Sequence, residues 1–257
     1  MTIVICAYKE CPTLEECIKR IVTQTVKPQI KISTSTPNEY IKNLAEKYDI
    51  EIFVNREPGH VKDYNFAMKQ IQTPLGMLAH QDDLLHEQFV EKNLEELNKA
   101  KKPILAFSNY IEMHNDIVDK NPSMIVRIKR ILVWPVCIPG FRRTMIAKRL
   151  LQCFGNPITH PSVVCVMSEM PDICFDEKFK ASMDWDLWER LSNQKGSFVY
   201  VKDVLLYHRM NDDNQTAQLL KTTNARYEEE YEIMSRFWPP FIAKLIMHFY
   251  KRSADFY

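Results

Sequence analysis

The stretch Leu75-Gly76-Met77-Leu78-Ala79-His80-Gln81-Asp82-Asp83 decides how the rest of the chain is read. Its first five residues are a short apolar run bounded by polar residues, the pattern of a core strand. Adjacent carboxylates at the exit of a buried strand repel one another unless a cation or a proton intervenes. In an open α/β sheet the carboxyl ends of the strands are where ligands sit. Asp82 and Asp83 are therefore candidate ligands for a divalent cation. A second local reading stays open, since Asp is a preferred N-cap and a helix could start near Leu84-Leu85-His86-Glu87. A further acidic cluster, Asp184-Trp185-Asp186-Leu187-Trp188, lies downstream.

Outward from this stretch, strand and helix signals alternate with short connections. Residues 2–7 read as a strand, 14–25 as an amphipathic helix, 28–33 as a strand and 50–54 as another. Between the last two, Thr36-Pro37-Asn38-Glu39 has capping-box spacing with Pro at the first helical position, which predicts a helix running through Tyr48. A helix over 60–71, the strand 75–79, a helix over 87–100 and a strand over 103–109 follow. Such alternation implies an α/β fold with a mostly parallel, Rossmann-like sheet flanked by helices and right-handed crossovers. The second half is less regular. It holds a basic, apolar helix over 124–133, strands over 162–167 and 197–201, and a helix over 184–192. Two terminal helices complete it: 213–237, stopped by Pro239-Pro240, and 241–251, with Ile242, Leu245, Ile246 and Phe249 on one face.

Composition excludes several classes. A net charge of +1 with 26% charged residues sets up no global field for nucleic acid. Seven cysteines, odd in number and without a CxxC pair, fit reduced, buried thiols of a cytosolic protein. The chain enters a strand pattern at once, so no leader is expected, and no apolar run approaches the length that spans a bilayer. With five glycines and no Walker-type loop, a metal-dependent nucleotidyltransferase or phosphohydrolase has little support, although paired carboxylates would suit one.

In chain order, a strand ends in Ala7-Tyr8-Lys9-Glu10 and a helix carries Leu14-Glu15-Glu16-Cys17-Ile18 and ends Thr23-Gln24-Thr25. Gly59 then opens a helix holding Asp63-Tyr64-Asn65, a strand ends in Gln81-Asp82-Asp83, and Asp184 to Arg190 heads a later helix. This combination resembles glycosyltransferase family 2, whose members have the GT-A fold and transfer a sugar from a nucleotide donor. The resemblance covers residues 1–216, with a nucleotide-sugar-binding half over 1–109 and an acceptor and catalytic-base half over 110–216. Residues 217–257 would be a C-terminal helical extension.

The resemblance implies roles. Asp82 takes the last position of the family's D-x-D motif, with His80 in place of its first Asp and Asp83 following; these would bind Mg²⁺ or Mn²⁺ on the donor diphosphate. His80 could ligate the metal, hydrogen-bond a phosphate, or be a satisfied buried histidine. Asp184 matches the family's catalytic base, which would give inversion, and Asp186 would serve helix-start electrostatics. Of Trp185 and Trp188, one would pack in the core and the other wall the acceptor site. Ala7, Tyr8 and Glu10 hold the positions that contact the nucleotide base, Tyr8 being as readily a core tyrosine. Where the family has Asp-Asp-Gly-Ser, this chain has Ser33-Thr34-Ser35-Thr36, leaving Thr34 to bond the base. Lys62, Asp63, Asn65 and Gln81 are candidate donor-pocket residues. In Tyr207-His208-Arg209-Met210-Asn211, Asn211 stands at the family's closing histidine, His208 is a candidate metal ligand and Arg209 a candidate phosphate donor. Asn156 to Ser162 resembles an acceptor-side loop.

These readings give an inverting, metal-dependent hexosyl- or N-acetylhexosaminyltransferase using a nucleotide sugar, most simply a UDP-sugar. Its acceptor would be a glycan or lipid-linked hydroxyl in surface polysaccharide assembly. A non-catalytic sugar-nucleotide-binding or scaffold protein of the same fold is the alternative. The aromatic, cation-flanked stretch from Phe237 to Arg252 would lie on the inner face of the plasma membrane, or else pack on the domain or on a second subunit in a homodimer.

Overall fold

The computed structural model describes residues 1–210 and 225–254. Thr2–Ala7 forms strand β1, in which Ile3, Val4 and Ile5 are all fully buried, as a central parallel strand covered on both faces requires. Leu14–Val22 (α1), Gln29–Thr34 (β2), Glu39–Tyr48 (α2), Glu51–Val54 (β3), His60–Lys69 (α3) and Leu75–His80 (β4) follow in the expected alternation. The strands β3, β2, β1 and β4 lie side by side and parallel. The sheet then turns mixed. Leu84–Leu85 (β5), Phe89–Lys99 (α4), Pro103–His114 (β6), Ile117–Val118 (β7), Val163–Val166 (β8) and Ser197–Arg209 (β9) extend it in the order β3-β2-β1-β4-β8-β6-β9-β5, with β7 on β6. β8 is antiparallel to β4 and β6, whereas β6 and β9 run parallel through a register break at Ser108 to Tyr110.

Alternating residues of one strand feed two cores. Val4 and Leu78 pack with Phe107 and Trp188 on one face, while Ile3, Ile5, Met77 and Ala79 pack with α1 and α2 on the other. Gly76 is where a side chain has no room: an added Cβ would lie 2.4 and 2.6 Å from Ile71 atoms. Gly76→Ala is expected to destabilise by about 1–3 kcal/mol, the range for an overpacked core. Urea unfolding checks this, and an unchanged midpoint would contradict the close approach.

Several local expectations are corrected. Thr36 does not cap α2; Asn38 does, accepting the Ile41 N–H at 2.9 Å, while the Thr36 hydroxyl is turned to the Lys9 amide at 2.6 Å. Asp83 is not an N-cap either, because Leu84 and Leu85 pair with Tyr207 and Leu206 as strand and α4 begins only at Phe89. β6 and β9 run well past residues 109 and 201, since each supplies the other's hydrogen bonds. Four cysteines are buried, but Cys6 and Cys11 are half-buried and Cys137 is exposed; all seven are free.

The second half adds Met124–Leu132 (α5), Trp134–Cys137 (α6), a 3-10 turn at Phe141–Arg143, Met145–Gln152 (α7) and Met183–Ser192 (α8). Ala225–Met234 (α9) and Pro240–Ala254 (α10) close the described chain. The expected helix start at Asp213, and Asn211, lie outside the described residues. The first terminal helix ends at Met234, ahead of Pro239, and α10 begins with Pro240 at its first position.

The C-terminal part packs on the rest of the protein rather than standing apart. Ile233, Met234, Ala243 and Met247 are fully buried in the core that holds Trp188. Glu229 accepts the backbone N–H groups of Lys180, Ala181 and Ser182 at 2.8–2.9 Å, and Arg236 pairs with Asp186 and Glu189. The Trp238 indole N–H donates to the Cys153 carbonyl at 2.6 Å. Leu245, expected on the buried face of α10, instead points outward beside Phe241.

Candidate active site

The strand order reverses between β1 and β4, and the loops at their carboxyl ends form the switch point where open sheets bind ligands. Gln81 fastens these loops together, accepting the Tyr8 N–H at 2.8 Å and donating to the Tyr8 carbonyl at 3.1 Å. Its amide is thus committed to positioning Tyr8. Tyr8 is not a core residue: it is 38% exposed, with the Lys9 ammonium over its ring. Thr13, just before α1, and Cys17 on α1 donate to the carbonyls of Gln81 and His80, fixing the exit of β4.

The antiparallel pairing of β5 with the end of β9 brings His208 and Arg209 against Asp82 and Asp83. Asp83 is buried; its Oδ1 accepts from His208 Nδ1 at 2.8 Å and from the Arg209 amide at 3.0 Å. Burial works to raise its carboxyl, but the charge and hydrogen bond of His208, with His80 and the Arg209 amide, hold it below the usual range. Burial and the Asp83 charge push Asp82 up. Burial acts to lower His208, and its contact with Asp83 outweighs this and raises it. Arg209 is not the expected phosphate donor. It is 2% exposed and bound to Glu16, Asp116 and the Asp82 carbonyl, so it braces the acidic turn from behind.

A cation fits here. His80, Asp82 and Asp83 each offer a ligand atom within 4.8 Å of the others. Asp83 Oδ2 is buried with no hydrogen-bond partner among the described residues, and His80 Nδ1 is 3.8 Å from it. An orphaned buried carboxylate oxygen is costly unless something positive meets it. His208 bonds Asp83 and would orient its carboxylate toward such an ion.

Asp184 stands in the first turn of α8, half-buried. Its Oδ2 accepts from Asn156 at 2.9 Å, so the loop singled out at 156–162 reaches it, and its Oδ1 accepts the Trp185 N–H. Burial raises the Asp184 carboxyl, opposed by the Trp185 amide, Lys129, Asn156 and Arg226. Asp186 points away into ion pairs with Arg190 and Arg236. Trp185 and Trp188 are both 1% exposed, so neither walls an open acceptor site; the helix is buried on more than one face.

Tyr64 links the acidic clusters. Its hydroxyl lies 3.2 Å from His80 Nε2, and burial with the charges of Cys6, Asp82, Asp83 and Asp184 pushes its phenol far up. The His160 ring sits 5.2 Å from His80 and 6.1 Å from Trp188. Burial and the charges of His80 and His60 lower His160 well below the usual histidine range, leaving it neutral. Lys129 of α5 acts electrostatically on both Asp184 and His208. Sequence reasoning missed Tyr64, Lys129 and Glu16 as site residues; the one signal was the cluster of Arg127, Lys129 and Arg130 among the apolar residues of α5.

Other candidates fall further back. Asp63 accepts from Ser35 and Asn55, tying the ends of β2 and β3 together, and Asn65 holds the backbone of Phe175 through both amide atoms. Thr34 is 2% exposed and accepts the Thr36 amide. Lys62 and Glu10 are exposed, and Ala7 is buried at the end of β1.

A mixed sheet with ligand loops at the β1/β4 switch point and an acidic turn after β4 is the GT-A glycosyltransferase fold. Residues 2–160 match the family described as Glycosyl transferase family 2, and the chain belongs to that family. Among solved structures, S. aureus TarS superposes with a TM-score of 0.65 at 11% identity, over 96% of this chain and 42% of that one. TarS residues 1-349 in complex with UDP-GlcNAc give 0.64 at 12% identity, over 96% and 70%. Glucosyl-3-phosphoglycerate synthase from Mycobacterium tuberculosis, in complex with Mn²⁺, UDP and phosphoglyceric acid, gives 0.57 at 13% identity, over 92% and 78%. These likenesses are of fold, and the chain spans less than half of the full TarS chain. No curated protein matches the sequence.

Proposed function

We propose that the protein is an inverting, metal-dependent glycosyltransferase that moves a hexosyl or N-acetylhexosaminyl group from a nucleoside-diphosphate sugar, a UDP-sugar, to a hydroxyl of a glycan or lipid-linked acceptor in surface polysaccharide synthesis. The observation that carries the reading is the acidic turn at the switch point, with the orphaned Asp83 Oδ2, sharing Tyr64 as neighbour with a separate carboxylate, Asp184. His80, Asp82 and Asp83 would hold Mg²⁺ or Mn²⁺. Such an ion supplies positive charge that stabilises a departing diphosphate.

The chain's own residues account for the rest. The exposed Tyr8 ring, fixed through its backbone by Gln81, offers a face to the nucleotide base. Asp184, raised by burial yet held by Asn156, is a carboxylate suited to take the proton of an acceptor hydroxyl. As the acceptor oxygen bonds to the anomeric carbon, the bond from that carbon to the diphosphate oxygen breaks and the acceptor proton passes to Asp184. The absence of a carboxylate over Ser33 to Thr36 is what favours the second reading, a protein that binds a sugar nucleotide without turning it over.

Thermal unfolding with UDP-, GDP- and dTDP-sugars, with and without Mn²⁺, tests the proposal. A ligand at a hundred times its Kd stabilises by about 2.7 kcal/mol. The parent should show that shift with a UDP-sugar and Mn²⁺, and Asp82→Asn should lose the Mn²⁺-dependent part. Equal shifts in the two proteins would remove Asp82 from donor binding.

A further inference from the structure

Helix α5 is built inside out. Met124, Ile128 and Ile131, at i, i+4 and i+7, form one stripe, and all three face solvent, Met124 at 76% and Ile131 at 68% exposure. The opposite side carries cations turned inward: Lys129 lies over the Tyr110 ring and Arg130 donates to Asn109 and the Tyr110 carbonyl. A surface helix ordinarily does the reverse. The exposed apolar surface continues over neighbouring elements. α5, α6, the 3-10 turn and α7 pack against one another, Trp134 is 54% exposed and stacks on Phe141, and Met145 and Ile146 at the start of α7 are at least half exposed.

Charge says what meets this face. Residues 120–168 contain no Asp or Glu, and of their eight Lys or Arg, Lys120, Arg127 and Arg143 are exposed, whereas Lys129 and Arg130 turn inward, Lys148 is buried and Arg149 pairs with Glu189. Beside the 3-10 turn, a pocket of about 260 Å³ is lined by Lys101, Lys102, Arg143 and Lys195 with Gly140, Thr144 and Gly196, and no carboxylate is among them. Lys148, behind it, has its ammonium pushed down to about 8 by burial and by the Lys102 charge. Three lysines and an arginine, in a pocket lined by no carboxylate and bordering a broad apolar patch with an exposed Trp, match the interface of an anionic bilayer, where apolar groups enter the acyl boundary and cations meet phosphate. A second copy of the chain would set cation against cation.

We infer that the face formed by α5, α6, the 3-10 turn and α7 docks on an anionic lipid surface, with the pocket of Lys101, Lys102, Arg143 and Lys195 receiving a lipid phosphate. The C-terminal helix has no part in this contact. Because Lys129 projects from the inner side of α5 toward Asp184 and His208, a docked α5 would set the candidate active site beside the lipid headgroups.

Co-sedimentation of the full chain with phosphatidylglycerol/phosphatidylcholine vesicles, and with phosphatidylcholine alone, tests the inference without donor or acceptor, so its outcome is independent of the transfer reaction. The parent should sediment with the anionic vesicles at low ionic strength, be released by salt, and stay in solution with phosphatidylcholine alone. Ile128→Gln with Ile131→Gln should lose binding. Arg143→Gln with Lys195→Gln should weaken it about fivefold per cation, the factor set by one charge near an anionic surface. Phe241→Gln with Leu245→Gln, on α10, should bind as the parent does. All six positions are exposed, and unchanged melting temperatures would show that the variants fold. Parent protein that stays in solution with anionic vesicles, equal binding to both vesicle types, or loss only in the α10 variant would overturn the proposal. So would light scattering that shows a dimer which the Ile128/Ile131 variant converts to monomer, since the face would then be a subunit contact.

Discussion

Asp184→Asn is expected to lower turnover by about a hundredfold or more, the usual scale for a lost general base, while donor affinity stays within a few-fold. The proposed role also fixes a pH dependence. Burial raises the Asp184 carboxyl, and Lys129 is among the groups that oppose the rise. A base works ionised, so kcat should fall as pH drops through a value above the ordinary aspartate pKa of about 3.9. Lys129→Gln removes an opposing positive charge and should move that acid limb to higher pH. A limb that stays put or moves down would separate Asp184 from the proton transfer.

The same shift bears on stability. A carboxyl whose folded pKa lies above its unfolded value leaves the native state binding more protons, so stability is greatest below both values and declines as pH rises through them. Once ionised, the half-buried Asp184 contributes less to folding than its protonated form does. Asp184→Asn should therefore melt at or above the parent's temperature at neutral pH while turnover collapses. A variant that loses fold and activity together would mark Asp184 as structural instead.

Deleting residues 237–257 should abolish the folded state rather than release a soluble enzyme from a membrane. Trp238 would leave the Cys153 carbonyl unpartnered, and Ala243 and Met247, both fully buried against the Trp188 core, would leave it open. Truncating a buried Met or Trp typically costs about 2–5 kcal/mol, against a total stability of roughly 5–15 kcal/mol. Circular dichroism and gel filtration would read this out, and a folded monomer with the parent's melting temperature would return the C-terminus to the status of an appendage.

What the sequence alone determined about this protein is local. The short apolar runs that mark β1 and β4 and the 3.6 period that marks the helices are properties of ten or so adjacent residues, and with them came the alternation, the parallel half of the sheet and the acidic turn after β4. The ordered motifs from Ala7 to Arg190 sufficed for the family. Tertiary structure decided everything that depends on partners far apart in the chain. Asp83 meets His208 across 125 residues, Gln81 clasps Tyr8 across 73, and β6 and β9 outgrow their apolar runs because each completes the other's ladder. Arg209, a plausible phosphate donor on paper, became a brace once Glu16 and Asp116 closed on it. Periodicity located α5 but was silent on which side would face water, because that depends on what the fold sets against it. Tyr110 and Asn109 drew its cations inward and left Ile128 and Ile131 outside.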